Sequence, residues 1–152
     1  MIADQLLTLA YVVLAMVLGA ALGFERESAD KPAGLRTHML VAGAAALLVG
    51  LGDVVIKHFD LDVSSNVIRT DPIRIIEAVI TGVSFLGAGT IIYHRSEKTI
   101  EGLTTAASLL FSAGVGICVA LLQFVLAIGV TIVALITLRG VQRLVLWLKG
   151  RE

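Results

Sequence analysis

Cysteine occurs once in the 152 residues, at Cys118 inside an apolar run. An internal disulfide is excluded, and the residue is silent on redox compartment. Charge is also sparse. Only 16% of residues are Asp, Glu, Lys or Arg, and twelve bases balance twelve acids. A chain without net charge carries no global basic field, so nucleic acid is not an expected partner. The three histidines, His38, His58 and His94, are scattered without zinc-ligand spacing, so no metal site is assigned to them. There is no Walker loop, no dinucleotide fingerprint and no Ser–His–Asp set, and no cofactor is expected.

What the chain does have is apolar residues, 57% of the total, against about 45–50% in a soluble domain. The excess sits in long blocks, which points to a membrane protein. Residues 5–24 are free of charge and long enough to cross a core of about 30 Å at about 1.5 Å per residue. No cleavable signal is expected, because this run lacks a positive n-region. A second span is expected over 37–56 and a third over 72–94, with Asp71 as N-cap and Pro72 at the first helical position. Gly102 to Leu138 is again free of charge. As one helix it would be roughly 55 Å long, so it divides near Gln123 into spans over 103–121 and 124–141. The fold expected is an all-α membrane bundle of about five transmembrane helices in a single domain, 1–152, without a soluble C-terminal domain. Four spans, one long and tilted, is the alternative. With the N-terminus outside, nine Lys and Arg fall on inner segments and three on the outer loop, which favours a cytoplasmic C-terminus. No nucleophile and base can share one membrane depth, so the chain reads as non-enzymatic.

Small residues recur at four-residue spacing in four spans: Ala15, Gly19 and Gly23; Ala42, Ala46 and Gly50; Ala78 and Gly82, with Gly87 and Gly89 beyond; Ser108, Ser112 and Gly116. Such stripes let helix backbones approach closely in lipid. The fifth span, rich in Val, Ile and Leu, is expected at the periphery, against lipid or a second subunit. A partial echo runs 68 positions apart: Gly19 with Gly87, Ala20 with Ala88, Ser28 with Ser96, and Gly34-Leu35-x-Thr37 with Gly102-Leu103-x-Thr105. It suggests an internal two-helix repeat about an axis along the membrane normal, with coincidence of common small residues as the other explanation.

Ionisable groups near a membrane are functional candidates unless paired or wet. Glu25, Arg26, Arg36, Thr37 and Glu77 form the candidate polar centre, with Glu25 expected to face Arg36 across the first turn. Glu77 has a plainer reading as a partner of Arg74 three residues earlier. Asp53 is a candidate intramembrane acid, or simply a solvated one. Asp60 to Asp71 spaces oxygen ligands like the start of a calcium loop, but Ser65 stands where the sharp turn needs glycine. In the echo, Tyr93 and Thr104 stand where the first half has Glu25 and Arg36, which puts any polar centre beside the first turn.

The segments Gly23-Phe24-Glu25-Arg26, Ala33 to Val41, Asp71 to Ile75, Gly82 to Gly89 and Gly102 to Ser108 together resemble the membrane domain of the MgtC/SapB family of bacterial inner-membrane proteins. The resemblance implies a five-span domain of the inner membrane with its N-terminus outside. It also implies a link to growth at low magnesium and survival inside hosts, and regulatory action on partners such as the membrane sector of the ATP synthase. Family members have also been named magnesium transporters. The chain ends at Glu152, where MgtC proteins carry a soluble domain, so a short SapB-like member is expected. Three readings follow: a regulator working through membrane-protein contacts, a cation or small-solute carrier acting as a dimer, and a lipid-binding organiser using the basic tail from Arg139 to Arg151. For the carrier, Gly87 and Gly89 would permit a broken helix.

Overall fold

A computed structural model describes residues 2–60, 72–94 and 99–149, with 56–60, 72, 94 and 141–149 described by backbone alone. It contains five helices: α1 (Ile2–Ser28), α2 (Leu35–Asp60), α3 (Pro72–Ala88), α4 (Leu103–Ala120) and α5 (Phe124–Lys149). A two-stranded antiparallel hairpin, β1 (Ile92–His94) and β2 (Thr99–Glu101), joins α3 to α4. Three stretches, Ile2–Ser28, Leu35–Val55 and Leu103–Ala120, are long and apolar enough to cross a membrane. The 17 residues of α3 rise about 26 Å, and the apolar part of α5 is Phe124–Gly140.

The turns are set by backbone hydrogen bonding. At the end of α1, Lys31 N–H donates to Arg26 O and Asp30 N–H to Glu27 O, with Asp30 left-handed at φ 56. The end of α4 repeats this closure: Gln123 N–H donates to Cys118 O and Leu122 N–H to Val119 O, with Leu122 at φ 60. This is the paired bonding of a Schellman cap, which satisfies carbonyls that a helix end would otherwise leave open. Glu27 then caps the next helix, its Oε2 accepting Leu35 N–H at 2.7 Å.

The third helix ends at Ala88, short of the span expected to reach residue 94. The chain turns at Gly89, where Thr90 Oγ1 donates to Gly87 O at 2.7 Å, and residues 92–94 pair as a strand. Helical continuation was the wrong reading of Ile91-Ile92-Tyr93, whose β-branched and aromatic side chains also suit a strand. Gly102, at φ 86, leads into α4, and a Cβ there would run into the Thr90 carbonyl.

Helix α4 touches all four other helices. One core cluster holds Ala15, Ala42, Ala46, Val115, Val119 and Ala127, flanked by Tyr11 against Phe124 with ring centroids 5.7 Å apart. The other holds Ala33, Val41, Ala45, Val79, Leu109 and Ala113. Alanine dominates because the backbones nearly touch: a Cβ at Gly116 would collide with the Ala42 carbonyl, and one at Gly19 would stand 2.6 Å from His38 O. The third stripe behaves differently. Ala78 and Gly82 are exposed, and a Cβ at Gly82 would meet open space. As a packing position Gly82 is therefore corrected, whereas Gly19, Gly23 and Gly87 do meet a neighbouring helix.

The echo has a structural counterpart. Gly19 of α1 lies against His38 of α2, and Gly87 of α3 lies against Ala106 of α4, at positions related by the same offset. Gly34 O accepts the His38 N–H and Gly102 O the Ala106 N–H, so both second helices start on the repeated glycine.

Candidate functional site

Helix α1 continues through Phe24-Glu25-Arg26-Glu27-Ser28, so its last turn is charged. Glu25 and Arg26 are nonetheless buried, at 2% and 4% exposure. Arg26 Nη1 stands 3.6 Å from Glu25 Oε2, an ion-pair distance longer than a hydrogen bond. Glu25 Oε2 and Arg26 Nε have no hydrogen-bond partner among the described residues. Orphaned buried groups of this kind cost about 1–3 kcal/mol each, more when charged. A cation suits the end of a helix, where the macrodipole is negative, and the adjacent carboxylate does not. The site therefore stores strain in Glu25 and relieves part of it through Arg26.

Both charges lie close enough to act on His38, which is fully buried. The ring bridges two helices. Its Nδ1 is 2.9 Å from Gly34 O, and its Nε2 is 3.0 Å from Ser108 Oγ on α4. A carbonyl only accepts, so Nδ1 carries hydrogen. Ser108 Oγ also lies 2.8 Å from Thr105 O. Its single hydrogen can turn either way. If Nε2 is bare, the hydroxyl donates to the ring. If Nε2 is protonated, the ring donates to Ser108 and Ser108 donates to Thr105 O. One hydroxyl rotation accommodates the neutral and the charged imidazole alike.

Thr105, Ser108 and Ser112 form a buried polar track on α4, and Ser112 Oγ lacks a partner among the described residues. The track stops at Gly116, whose backbone is sealed against Ala42. Beside Ser108 a cavity of about 140 Å³ opens between α1, α4 and α5, walled by Leu22, Phe111 and Val133.

Arg26, not Arg36, is the partner of Glu25. Arg36 is exposed, and with Thr37 it lines a separate groove between α2 and α3. Glu77 is exposed near the start of α3, the end that meets Gly52 through Ile75, so it lies at the other end of the bundle from Glu25. Asp53 is exposed on α2 beside that contact. Gly89 is exposed at the turn after α3. The loop reading from Asp60 to Asp71 falls outside the described residues, apart from the backbone of Asp60. No cluster of His, Cys, Asp and Glu suited to a metal ion occurs among the described residues. His38 and Ser108 were missed by the sequence reading. The available signal was that His38 precedes Ala42 and Ala46 on one buried stripe, while Ser108 opens another.

A bundle of apolar helices with buried charge and histidine at one end defines a polytopic helical membrane protein. The chain belongs to the MgtC family, whose model matches residues 12–146. It is 40% identical over 136 residues to a Haemophilus influenzae protein named "Uncharacterized protein", covering 90% of this chain and 56% of that one. It is 35% identical over 142 residues to the "Putative magnesium transporter YhiD" of Escherichia coli, covering 93% and 63%. Protein MgtC of Salmonella typhimurium is 38% identical over 136 residues, covering 87% and 52%. The chain thus spans between 52% and 63% of the length of these relatives. No solved structure matches it.

Proposed function

We propose that this chain is a non-enzymatic regulator of the bacterial inner membrane, active in adaptation to magnesium limitation through helix contacts with other membrane proteins. In this reading the N-terminus is outside, and the end bearing Glu25, Arg26 and His38 faces the cytoplasm. The ATP synthase membrane sector is the partner that the family resemblance suggests, and a homodimer is the expected assembly. One observation carries the reading. The buried polar groups of α1, α2 and α4 gather at one end, and beyond Gly116 the core is Ala15, Ala46, Val119 and Ala127. A carrier needs polar groups on both sides of its site, and this apolar half offers none within the described core.

The test has two arms. Purified protein in liposomes should pass neither magnesium nor protons above the level of empty vesicles. A deletion strain at low magnesium should show altered ATP, and pull-downs in detergent should recover a stoichiometric membrane partner. Unchanged ATP with no such partner overturns the proposal.

The second reading is a cation carrier working as a dimer. It is favoured by Glu25 Oε2 and Arg26 Nε, which lack hydrogen-bond partners among the described residues, since a buried acid without a hydrogen bond suits an ion or a proton. Magnesium or proton flux above empty vesicles, lost in Glu25→Gln under conditions where circular dichroism shows that variant folded, would establish it in place of the first.

A further inference from the structure

Helix α3 meets its neighbours near both ends and, through Val79, at its middle. Near its start, Ile75 fills the notch left by Gly52 of α2. Near its end, Gly87 lies against α4, where a Cβ would stand 3.3 Å from the Ala106 Cβ. So α3 leans on α2 at one end and on α4 at the other. Between these contacts α2 and α3 part, leaving a groove of about 490 Å³. Its rim includes Leu40, Leu48, Gly82 and Leu86, all exposed. Its floor is Val41, Ala45 and Val79, which pack with Leu109 and Ala113 of α4.

The lining is apolar except at the end where α2 begins, which holds Arg36 and Thr37. The Arg36 guanidinium has no carboxylate partner among the described residues. The acid of the adjoining turn, Glu27, is already engaged by Leu35 N–H. From Arg36 to Leu48 the groove follows α2 for about 18 Å at 1.5 Å per residue. That is close to one leaflet, half of a hydrocarbon core of about 30 Å. A slot of that length with apolar walls, pinched shut by Ile75 and cationic at its mouth, matches an amphiphile with an anionic head.

We propose that the α2–α3 groove is a binding site for an anionic phospholipid, one acyl chain lying between Leu40 and Leu86 and the phosphate on Arg36 and Thr37. An arginine at that depth presents planar donors to phosphate oxygens, and the chain fills space that α3 leaves open. The site goes beyond the proposed regulatory role and stands or falls without it.

The test uses the full chain, purified in mild detergent and titrated with phosphatidylglycerol or phosphatidylcholine under native mass spectrometry. One phosphatidylglycerol per chain should be retained. Arg36→Gln should weaken its retention about tenfold, the loss of one charge-assisted bond, and weaken phosphatidylcholine, whose choline offsets its own phosphate, by less. Gly82→Leu should fill the groove and lower retention of both lipids, and because leucine favours helix it should not disturb folding. Val125→Trp, at a position 89% exposed on α5, should change neither. Equal retention of phosphatidylglycerol by wild type, Arg36→Gln and Gly82→Leu overturns the proposal. So does a dimer that covers the groove and is broken by Ala44→Trp, because the occupant is then a second copy of the chain.

Discussion

Ser108→Ala tests whether the His38 bridge holds α2 to α4. The substitution removes one oxygen and leaves Nε2 of a fully buried ring without its partner at 3.0 Å. An unsatisfied buried group costs about 1–3 kcal/mol. His38→Ala removes the same bond and adds a cavity, for about 2–5 kcal/mol by comparison with other large-to-small core changes. The two losses overlap, so the double variant should be less damaged than their sum. Hydrogen bonds between membrane helices average about 0.6 kcal/mol by this measure and reach about 1.7. This bond is fully buried and both of its partners sit in a second bond, Gly34 O for the ring and Thr105 O for the hydroxyl. The coupling should therefore fall in the upper part of that range, at about 1–1.7 kcal/mol. Reversible unfolding in mixed micelles, followed by far-UV circular dichroism for the wild type and three variants, gives the four free energies. A coupling below about 0.3 kcal/mol, the ordinary scatter of independent sites, would refute the bridge as a structural link.

Leu122→Gly should stabilise the chain by about 1 kcal/mol, because Leu122 holds a left-handed φ of 60 with an exposed side chain. The same unfolding titration would register the higher midpoint. Two glycines on one turn of α4 should part company: Gly116→Ala should destabilise by about 1–3 kcal/mol through its collision with Ala42. Gly114→Ala, which meets no neighbour within 4 Å, should be neutral or gain up to about 1 kcal/mol from helix propensity. Limited proteolysis of the two proteins in micelles checks the contrast. Glu25→Gln should cost about 3–5 kcal/mol by stranding buried Arg26, and Glu25→Gln with Arg26→Gln should recover part of that loss in the melting temperature.

The helices were legible because apolar blocks and their charged borders follow from the free energy of burying residues in lipid, which acts locally along the chain. The echo was legible for a related reason: Gly19 and Gly87 are fixed by a backbone contact that no larger side chain tolerates, so the requirement shows in a single letter. The polar centre was less readable. Glu25 pairs with its neighbour Arg26, although successive helix positions usually diverge, and nothing in the sequence distinguishes that pair from one across the turn to Arg36. The His38–Ser108 bond joins residues 70 apart, and only the packing of α2 on α4 brings them together. The hairpin was hidden on its β1 side, where Ile91, Ile92 and Tyr93 continue the apolar run of α3.

The link from α4 to α5 bears on how the protein is made. Leu121, Leu122 and Gln123 carry no charge, and each of their amides already donates within the chain, to Ile117, Val119 and Cys118. Little on this link demands water. Moving it through the bilayer exposes one glutamine side chain and the first amides of α5, Phe124 to Leu126, but no charge. Helices α4 and α5 can therefore enter the membrane together as a closed hairpin during biogenesis, with no charged loop to be carried across. The link between α2 and α3 is different in kind. Asp62, Arg69 and Asp71 lie along it, after Lys57 and Asp60 in the last turn of α2, so in the proposed orientation a hydrated segment has to be carried across. With the N-terminus outside, as proposed, that costly translocation would fall in the first half of synthesis, and the later pair could settle against a bundle already oriented.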